Sequence, residues 1–289
     1  MKNKPELCNF SAAKYVKQTE MKQKGTIMKV KQSLVTSLLV LVMAQSMVSC
    51  ISCEKRGMTV FDDAPKVVQP RPLKGFDKIE VYGSPSVYYF QSDAFSVNVK
   101  GPENKVDNII TTVEDGTLTI RNKGKIGIFN VSFGDMNDLS VHVGSPDLTS
   151  VSLSGSGDFV CVSNLDTDHM QISLRGSGDM TFENIICDDC VTELVGSGDI
   201  TVKRLEAFTS EISLVGSGDM EVKQWNVDET DISLRGSGDI SVRFGEGCKK
   251  VDCQLHGSGD ICLEGKVEQM NKHKTGSGDI DTDRLVIKR

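Results

Sequence analysis

Hydrophobic and polar residues alternate along the second half of the chain, in short runs on either side of a glycine-rich tetrapeptide. Before one tetrapeptide, Ile212 and Leu214 flank the polar Ser213, and after it the alternation resumes with Met220 and Val222. A period of two is typical of a β-strand with one buried face. Each unit is therefore predicted to be a strand, a tight turn and a second strand.

The tetrapeptide Gly-Ser-Gly-Asp is repeated at intervals of 19 to 21 residues. Its seven copies begin at Gly155, Gly176, Gly196, Gly216, Gly236, Gly257 and Gly276. Neither strand of such a unit can bury its apolar side alone, so a sustained period of this length predicts a solenoid of stacked coils. The fold is predicted to be all-β, with coils of about 20 residues.

The tetrapeptides are predicted to be mainly structural, because glycine and aspartate are turn residues. Glycine adopts positive φ without steric cost, and Gly218 is expected to need such a conformation. The corner between coils usually carries a further apolar residue, as at Leu205, Trp225 and Phe244.

Stacked coils align the aspartates of the tetrapeptides in a ladder with a spacing of about 4.8 Å. Neighbouring carboxylates repel one another by about 1 kcal/mol in water, so the ladder needs compensation. Two explanations remain open. Backbone N–H groups of the same or the next turn donate to the carboxylates, which we favour, or the ladder binds Ca²⁺. The calcium ligands would be Asp179, Asp199, Asp219, Asp239 and Asp260; no other cofactor is indicated.

The region from Phe76 to Pro146 shows a degenerate β pattern and is predicted to be an irregular β cap at the N-terminal end of the solenoid. Its aromatic residues cluster at Tyr82, Tyr88, Tyr89 and Phe90. Either these rings pack in the core of the cap, or they form a binding face on it.

The N-terminal region resembles a bacterial lipoprotein signal. A short basic segment at 28–31 precedes an apolar stretch at 33–47 that is short for a membrane-spanning helix, and Cys50 follows. We predict a signal peptide at 28–49, lipid attachment at Cys50, a linker at 50–72 and the β domain at 73–289. Cys53 is the alternative acylation site, and plain cleavage with release is the alternative fate. Residues 1–27 suit no secretion signal, so Met28 is the expected start.

Three segments together resemble a known family. They are the run from Arg71 to Val81, the run from Val113 to Ile120, and the serial Leu-x-Gly-Ser-Gly-Asp turns. They are similar to the auto-transporter adhesin head GIN domain of bacterial envelopes, chiefly of Bacteroidetes, and the similarity extends from about Pro72 to the C-terminus. The resemblance implies a right-handed, single-stranded β-helix-like solenoid with a binding role at a surface. It transfers no catalytic residue.

Composition narrows the function further. The net charge of −7 argues against nucleic acid as a partner, and aromatic residues make up only 6% of the chain, which does not indicate a rich glycan groove. Of the nine cysteines, Cys187 and Cys190 resemble half of a zinc site, as do Cys248 and Cys253. These pairs are expected three coils apart, about 14 Å, which is too far for one tetrahedral site. Buried free thiols are expected instead.

These features predict a non-catalytic lipoprotein of the cell envelope, held at the outer membrane or cell surface by a lipid anchor. A periplasm-facing position is also open. Its adhesin-like solenoid would bind an unknown surface, glycan or protein ligand. One alternative is a carbohydrate-active β-helix enzyme, a polysaccharide lyase or hydrolase; another is a passive envelope spacer or stress component. The corners are short and the four histidines are scattered, so no catalytic residue is predicted.

Overall fold

The structure, a computed structural model, describes residues 65–124 and 139–288. These residues fold into nineteen β-strands and one short 3₁₀ turn at Val106–Asn108. Within these two ranges, no helix is long and apolar enough to cross the lipid bilayer. The predicted signal peptide at 28–49, the acylation site Cys50 and the upstream residues 1–27 lie outside the described residues.

The strands fall into a cap and a series of coils, all within the compact unit 62–289. The cap strands are β1 (Lys66–Arg71), β2 (Lys78–Gly83), β3 (Ser86–Gln91), β4 (Ser96–Pro102), β5 (Ile109–Glu114), β6 (Thr117–Asn122) and β7 (Ser140–Ser145). The coil strands are β8 (Ser150–Gly155), β9 (Asp158–Asp166), β10 (His169–Gly176), β11 (Asp179–Ile186), β12 (Asp189–Gly196), β13 (Asp199–Glu206), β14 (Thr209–Gly216), β15 (Asp219–Trp225), β16 (Val227–Gly236), β17 (Asp239–Gly257), β18 (Ile261–Gly276) and β19 (Ile280–Ile287).

Each coil contributes one strand to each of two parallel arrays. The strands before the tetrapeptides form the first array, and the strands after them form the second; the long β17 and β18 bend at a corner and belong to both. Equivalent positions stack without a shift around the turns, so that Leu174 lies beside Leu194 and Asp179 beside Asp199. The predicted β-solenoid is therefore confirmed.

The inward positions of both arrays form one continuous apolar core. Its most regular column is fully buried and consists of Leu153, Leu174, Leu194, Leu214, Leu234 and Leu255. Burying one such side chain contributes about 2 kcal/mol relative to leaving it exposed. Because the column repeats in six successive coils, the stacking of coils, and no single contact, holds the solenoid together.

The cap is irregular, as predicted, but its strands do not stack in sequence order. β2 and β3 form a coil of their own, and the turn between them puts Gly83 beside Gly155 of the first regular coil. β6 and β7 lie on the other side of that early coil, so β2 is inserted between β6 and β8. The antiparallel strands β5 and β4 then pair with β6 and β7 and close the end.

The folded region begins within the segment predicted as a linker at 50–72. β1 pairs antiparallel with β4, and Val67 lies opposite Gly101. The three prolines of the segment favoured its prediction as a linker, yet Pro70 lies within this strand. β1 pairs on one side only among the described residues, and an edge strand tolerates proline, which has no N–H to donate.

The corner at Trp225 differs from its neighbours. Gln224, and not the apolar Trp225, occupies the inward position equivalent to Leu205, because the register shifts after Val202. Trp225 is half-buried on the outside, where the guanidinium carbon of Arg204 lies 4.5 Å from the centre of the ring. Gln224 is fully buried and satisfied by two hydrogen bonds. It donates to Ser210 Oγ at 2.8 Å and accepts from Thr230 Oγ1 at 2.8 Å.

Candidate functional site

The Gly-Ser-Gly-Asp turns form one edge of the solenoid and are linked to one another by backbone hydrogen bonds. The carbonyl of Gly176 accepts the N–H of Ser197 at 2.8 Å and that of Gly198 at 3.2 Å, both from the next coil. Similar bonds to the first glycine carbonyl recur along the edge, starting from Gly83 in the cap. The edge is therefore a continuous ladder, which supports a mainly structural role for the turns.

The two glycines of each turn are required for different reasons. Gly216 has φ +140°, and a Cβ there would lie 2.0 Å from the carbonyl oxygen of Gly196. Gly218 is not in the positive-φ region, so the predicted reason for a glycine at this position is wrong. The close approach of the coils requires it instead, because a Cβ on Gly218 would lie 1.9 Å from the carbonyl oxygen of Gly198.

The aspartate ladder is satisfied at least in part by the backbone. From Asp179 to Asp260, each carboxylate accepts the N–H of the aspartate in the next coil. The five N···Oδ1 distances, in chain order, are 3.1, 3.0, 3.3, 2.8 and 2.7 Å. Hydrogen bonds to an ionised acceptor are stronger than neutral ones, so they offset repulsion along the ladder.

Calcium binding at the ladder stays a prediction. Across residues 65–124 and 139–288, no three His, Cys, Asp or Glu side chains are grouped in a way that could hold a metal ion. The hydrogen-bonded Oδ1 atoms already have a partner, and Ca²⁺ takes six to eight oxygen ligands. The geometry favours the internal explanation.

Two side chains end the ladders, and sequence reasoning missed both. Asn122 follows Arg121, the last residue of β6 that pairs with β2. Its Oδ1 accepts the N–H of Ser84 at 3.1 Å, whereas in the coils a glycine carbonyl accepts the equivalent N–H. At the other end, Lys274 Nζ lies 2.7 Å from Oδ1 of Asp279, the last aspartate. The one sequence signal was Lys274 itself, which takes a position that is leucine in the coils before it.

The aromatic cluster of the cap divides among three environments. Tyr89 is buried in the core, where its hydroxyl donates to the carbonyl of Ser145 at 3.3 Å and burial raises its pKa to about 12. Tyr82 is exposed on the first array and donates to Glu80 at 2.8 Å. Tyr88 and Phe90 point outward from the second array. Core packing and an exposed face were the two alternatives for these aromatic residues, and both occur: Tyr89 packs in the core, and Tyr82 and Tyr88 are exposed.

Tyr88 and Phe90 join two valines of the first coil in an apolar patch, which we call the cap face (Tyr88, Phe90, Val160, Val162); Tyr88 and Val162 are exposed, and Phe90 and Val160 are half-buried. Tyr88 lies beside Val160 in the paired strands β3 and β9, and Phe90 and Val162 follow the last paired residues of those strands. Tyr88 is 37% exposed and Val162 53%. Apolar exposure of this kind marks interaction surfaces when the residues are contiguous.

The rings near the cap face are partly covered by their neighbours. The imidazole of His142 stacks on Tyr88 with a centroid distance of 5.1 Å and an interplanar angle of 20°. Phe90 lies over Gly144, where an added Cβ would come within 2.8 Å of the ring. Burial, and to a lesser extent Lys100, lowers the pKa of His142. The cap face therefore presents ring edges and methyl groups more than open aromatic faces.

The cysteines of the described region are free and buried, as expected. They are Cys161, Cys187, Cys190, Cys248, Cys253 and Cys262. Burial raises the pKa of Cys161 to about 11 and that of Cys253 to about 12. The pKa of Cys187 is raised by its hydrogen bond to Cys190 and by burial. Thiols with raised pKa values are poor nucleophiles, and packing is their evident role.

The histidines are as scattered as predicted, with one exception of chemical interest. His142 Nε2 lies 3.3 Å from Ser140 Oγ, whereas the sequence suggested no histidine beside a nucleophile. His169 pairs with Asp189 at 3.0 Å, and the rings of His256 and His273 lie 6.0 Å apart.

A groove of about 500 Å³ lies at the corners of the last coils, with Val227 and Cys248 at its base. Ion pairs lie along its rim. Lys249 binds Asp228 at 2.7 Å, and another lysine, Lys288, binds Glu268 at 2.9 Å. These two acids are thus engaged, and a pair of opposed carboxylates for glycoside chemistry is not evident in this groove.

Comparison with protein families matches the chain to one model. Residues 75–248 and 209–289 match the family described as "Putative auto-transporter adhesin, head GIN domain". No curated protein matches the chain.

Solved structures share the fold at low sequence identity. A "putative adhesin" from Bacteroides fragilis NCTC 9343 is 23% identical, with a TM-score of 0.63 over 75% of this chain and 96% of that one. A "putative lipid binding protein" from Parabacteroides distasonis ATCC 8503 is 22% identical, with a TM-score of 0.59 over 76% and 98%. A "putative adhesin" from Parabacteroides merdae ATCC 43184 is 19% identical, with a TM-score of 0.60 over 76% and 98%.

Proposed function

Since the chain belongs to the family described as "Putative auto-transporter adhesin, head GIN domain", we propose that it is a non-catalytic, lipid-anchored envelope protein that binds its ligand through the cap face. The observation that carries this proposal is the exposed patch around Tyr88 and Val162, beside which the same row of the second array continues with the polar Thr181 and Thr201. Its relatives are named as adhesins, which agrees with a binding role at the cell surface.

The position of the cap face suits a binding surface. Four apolar side chains from two paired strands share one side of the second array. The next residues outward along the same row are Thr181 and Thr201. An apolar centre with a polar surround is the usual composition of a protein interface. Rigid strands on both sides also keep the cost of ordering the surface low on binding.

The chemistry of the cap face favours a protein or an acyl lipid over a sugar. Sugar sites stack open aromatic faces on the ligand, and here His142 covers one side of Tyr88. The indole of Trp225 is covered in the same way, by Arg204 on one side and Gly245 on the other. One fold relative is titled as a lipid binding protein, which makes an acyl lipid a ligand class to test.

The anchor follows from the N-terminal signal. Cys50 would carry the lipid, and the linker would connect it to β1, the first strand of the described fold. Replacement of Cys50 by alanine should move the protein from the membrane to the soluble fraction. A variant that remains in the membrane and still takes up a palmitate analogue would contradict the anchor.

The binding role is tested with residues 62–289 on arrays of glycans and extracellular-matrix proteins, and on lipid vesicles. A Val162→Lys substitution should reduce binding of the ligand found by at least tenfold, because it places a charge in the centre of the patch. Val215→Lys is the control, since Val215 is an exposed valine on the other array, at 42% against 53% for Val162. Equal binding by both variants would exclude the cap face.

The runner-up function is a carbohydrate-active enzyme, and the Ser140–His142 contact is the observation that favours it. A histidine with a lowered pKa beside a hydroxyl is one part of a nucleophilic site. A Ser140→Ala variant distinguishes the two functions. Turnover of a polysaccharide by the wild-type protein that this variant loses would establish the enzyme. Unchanged ligand binding by the variant, without turnover by either protein, supports the binding role.

A further inference from the structure

The two ends of the solenoid are finished differently. At the cap end, β4 and β5 run antiparallel to the last parallel strands, and the outermost strands there, β1 and β5, are short six-residue strands, each paired on one side only among the described residues. At the other end, within the described residues, the second half of β18 (266–276) pairs only with β17, and β19 pairs only with β18. Two long strand edges therefore remain open, and open edges are templates for pairing with another chain.

The core is also less well covered at this end. Met270, Ile280 and Leu285 pack on the core but are only partly buried, and Val286 is 61% exposed. By contrast, every leucine of the regular inner column is fully buried. The open end thus combines unpaired backbone with exposed apolar surface, which is the combination that another strand pair would cover.

The net charges of the two open strands have opposite sign. The second half of β18 carries Lys266, Lys272 and Lys274 against one acid, Glu268, and the last two lysines take inward register positions that are apolar in the coil before. Asp279, just before β19, and Asp281 and Asp283 on it outnumber one base, Arg284, which pairs with Glu264 at 3.2 Å. We call the first the lysine strand and the second the aspartate strand. Lys274 already pairs with Asp279 at 2.7 Å within the chain.

We propose that a second copy of this chain docks on the open end, tip to tip, with the lysine strand of each protomer beside the aspartate strand of the other. The lysine strand and the aspartate strand are the two arms of one coil and run in opposite directions. A two-fold axis parallel to both strands therefore places the lysine strand of each protomer beside the aspartate strand of the other, which makes the contact self-complementary. The strands then meet antiparallel and extend both arrays by main-chain hydrogen bonds. The other two-fold arrangement would oppose lysine to lysine, and like charges in register are destabilising.

The proposal does not depend on the lipid anchor or on the cap face, which lies at the opposite end of the solenoid. Charge at an edge strand often prevents pairing. Here the charge selects one arrangement. A partner whose strands carry charges of only one sign would be attracted by one of the two open strands and repelled by the other. A second copy supplies both signs in the required order.

The experiment measures the mass of residues 62–289, which hold the whole described core and form one compact unit, by sedimentation at increasing protein concentration. We expect a concentration-dependent dimer that weakens by at least tenfold between 50 mM and 500 mM salt, since exposed charges are screened. Hydrogen exchange should slow at 266–276 and 280–287 in the dimer. A monomer at all concentrations, or a dimer protected elsewhere, would overturn the proposal.

Charge-swap variants test the pairing of the strands. Lys272→Asp and Asp283→Lys should each abolish the homodimer, and an equimolar mixture of the two should restore a heterodimer, because each then offers what the other needs. Arg235→Asp, on an exposed position of a central coil, is the control and should dimerise normally. Circular dichroism checks that each variant is folded. A mixture that stays monomeric, or single variants that dimerise like the control, would contradict the arrangement.

Discussion

The regular coils and the cap use the same turn but stack it in different ways. In the coils, the neighbour in space is the next repeat in sequence, whereas in the cap β2 lies between β6 and β8. Gly83 still aligns with Gly155, and its carbonyl still accepts the N–H of Ser156 at 2.9 Å. The comparison teaches that each level from β2 and β3 onwards combines a glycine turn with an inward apolar pattern. The stack does not need sequential order.

The coils and the cap differ in the group that contacts the first glycine of each turn. In the coils, every first glycine rests on the backbone of the turn before it, and in the cap Gly83 rests on the side chain of Asn122. A backbone group of a packed neighbour cannot move alone, but the end of a side chain can. The coils should therefore be the less tolerant region at equivalent positions.

The largest effect is expected at the glycines. Gly216→Ala should cost about 3 kcal/mol or more, because it combines positive φ with a Cβ 2.0 Å from a backbone oxygen. Gly83→Ala also has positive φ, at +97°, but its Cβ meets Asn122 Oδ1 at 2.5 Å, so about 1–2 kcal/mol is expected. Urea unfolding followed by circular dichroism measures both. A Gly83 variant as unstable as the Gly216 variant would remove the distinction between the regions.

A second comparison concerns buried polar groups. Gln224→Ala should cost about 2–4 kcal/mol, because it leaves a cavity and two hydroxyls, those of Ser210 and Thr230, without their partner. In the cap, Tyr89→Phe removes one hydroxyl, while Ser145 Oγ keeps its bond to the carbonyl of Asp147 at 2.6 Å, and about 1 kcal/mol is expected.

Trp225→Ala provides the control for the corner, since this ring lies outside the core. In the same unfolding assay, Gln224→Ala should lose the most stability, and Trp225→Ala and Tyr89→Phe should each lose less. If Trp225→Ala is more damaging than Gln224→Ala, the register assigned to this coil is wrong.

The smallest effect is expected at the side chains that bond to the turn backbone. Asp219→Ala removes the acceptor for the N–H of Asp239 and should cost about 1.5–2 kcal/mol, the low end of the range for a hydrogen bond to a charged group. Asn122→Ala removes one neutral bond, to the N–H of Ser84, and should cost about 0.5–1 kcal/mol. Melting temperatures that fall in the reverse order would show that the cap, and not the ladder, depends on these bonds.

The repeat was predictable from sequence, because each inward column is filled by the same class of residue in successive coils. The order of strands in the cap was not. The spacing of Gly83 from Gly155 looks like a long interruption, and only pairing shows that the two turns are neighbours. The inward place of Gln224 was missed for a different reason: a one-residue register shift between Val222 and Gln224 exchanges the inward and outward positions.

The candidate sites were predictable only in part. Sequence placed four aromatic residues close together but could not say which of them point outward, because that depends on the strand face. Val160 and Val162 complete the cap face from a strand about 70 residues away in the chain. The contact of Ser140 with His142 was also missed, although residues two apart on a strand share a face.

Whether the Gly-Ser-Gly-Asp edge is structural or a metal site is tested most directly by the melting temperature of residues 62–289 in chelator and in millimolar calcium. A backbone N–H of the next coil already donates to one oxygen of each carboxylate from Asp179 to Asp260. The account therefore predicts the same melting temperature, within about 1 °C, in both conditions. A rise of several degrees with calcium would mean that the folded chain binds the ion and the unfolded chain does not, which would contradict a purely structural edge.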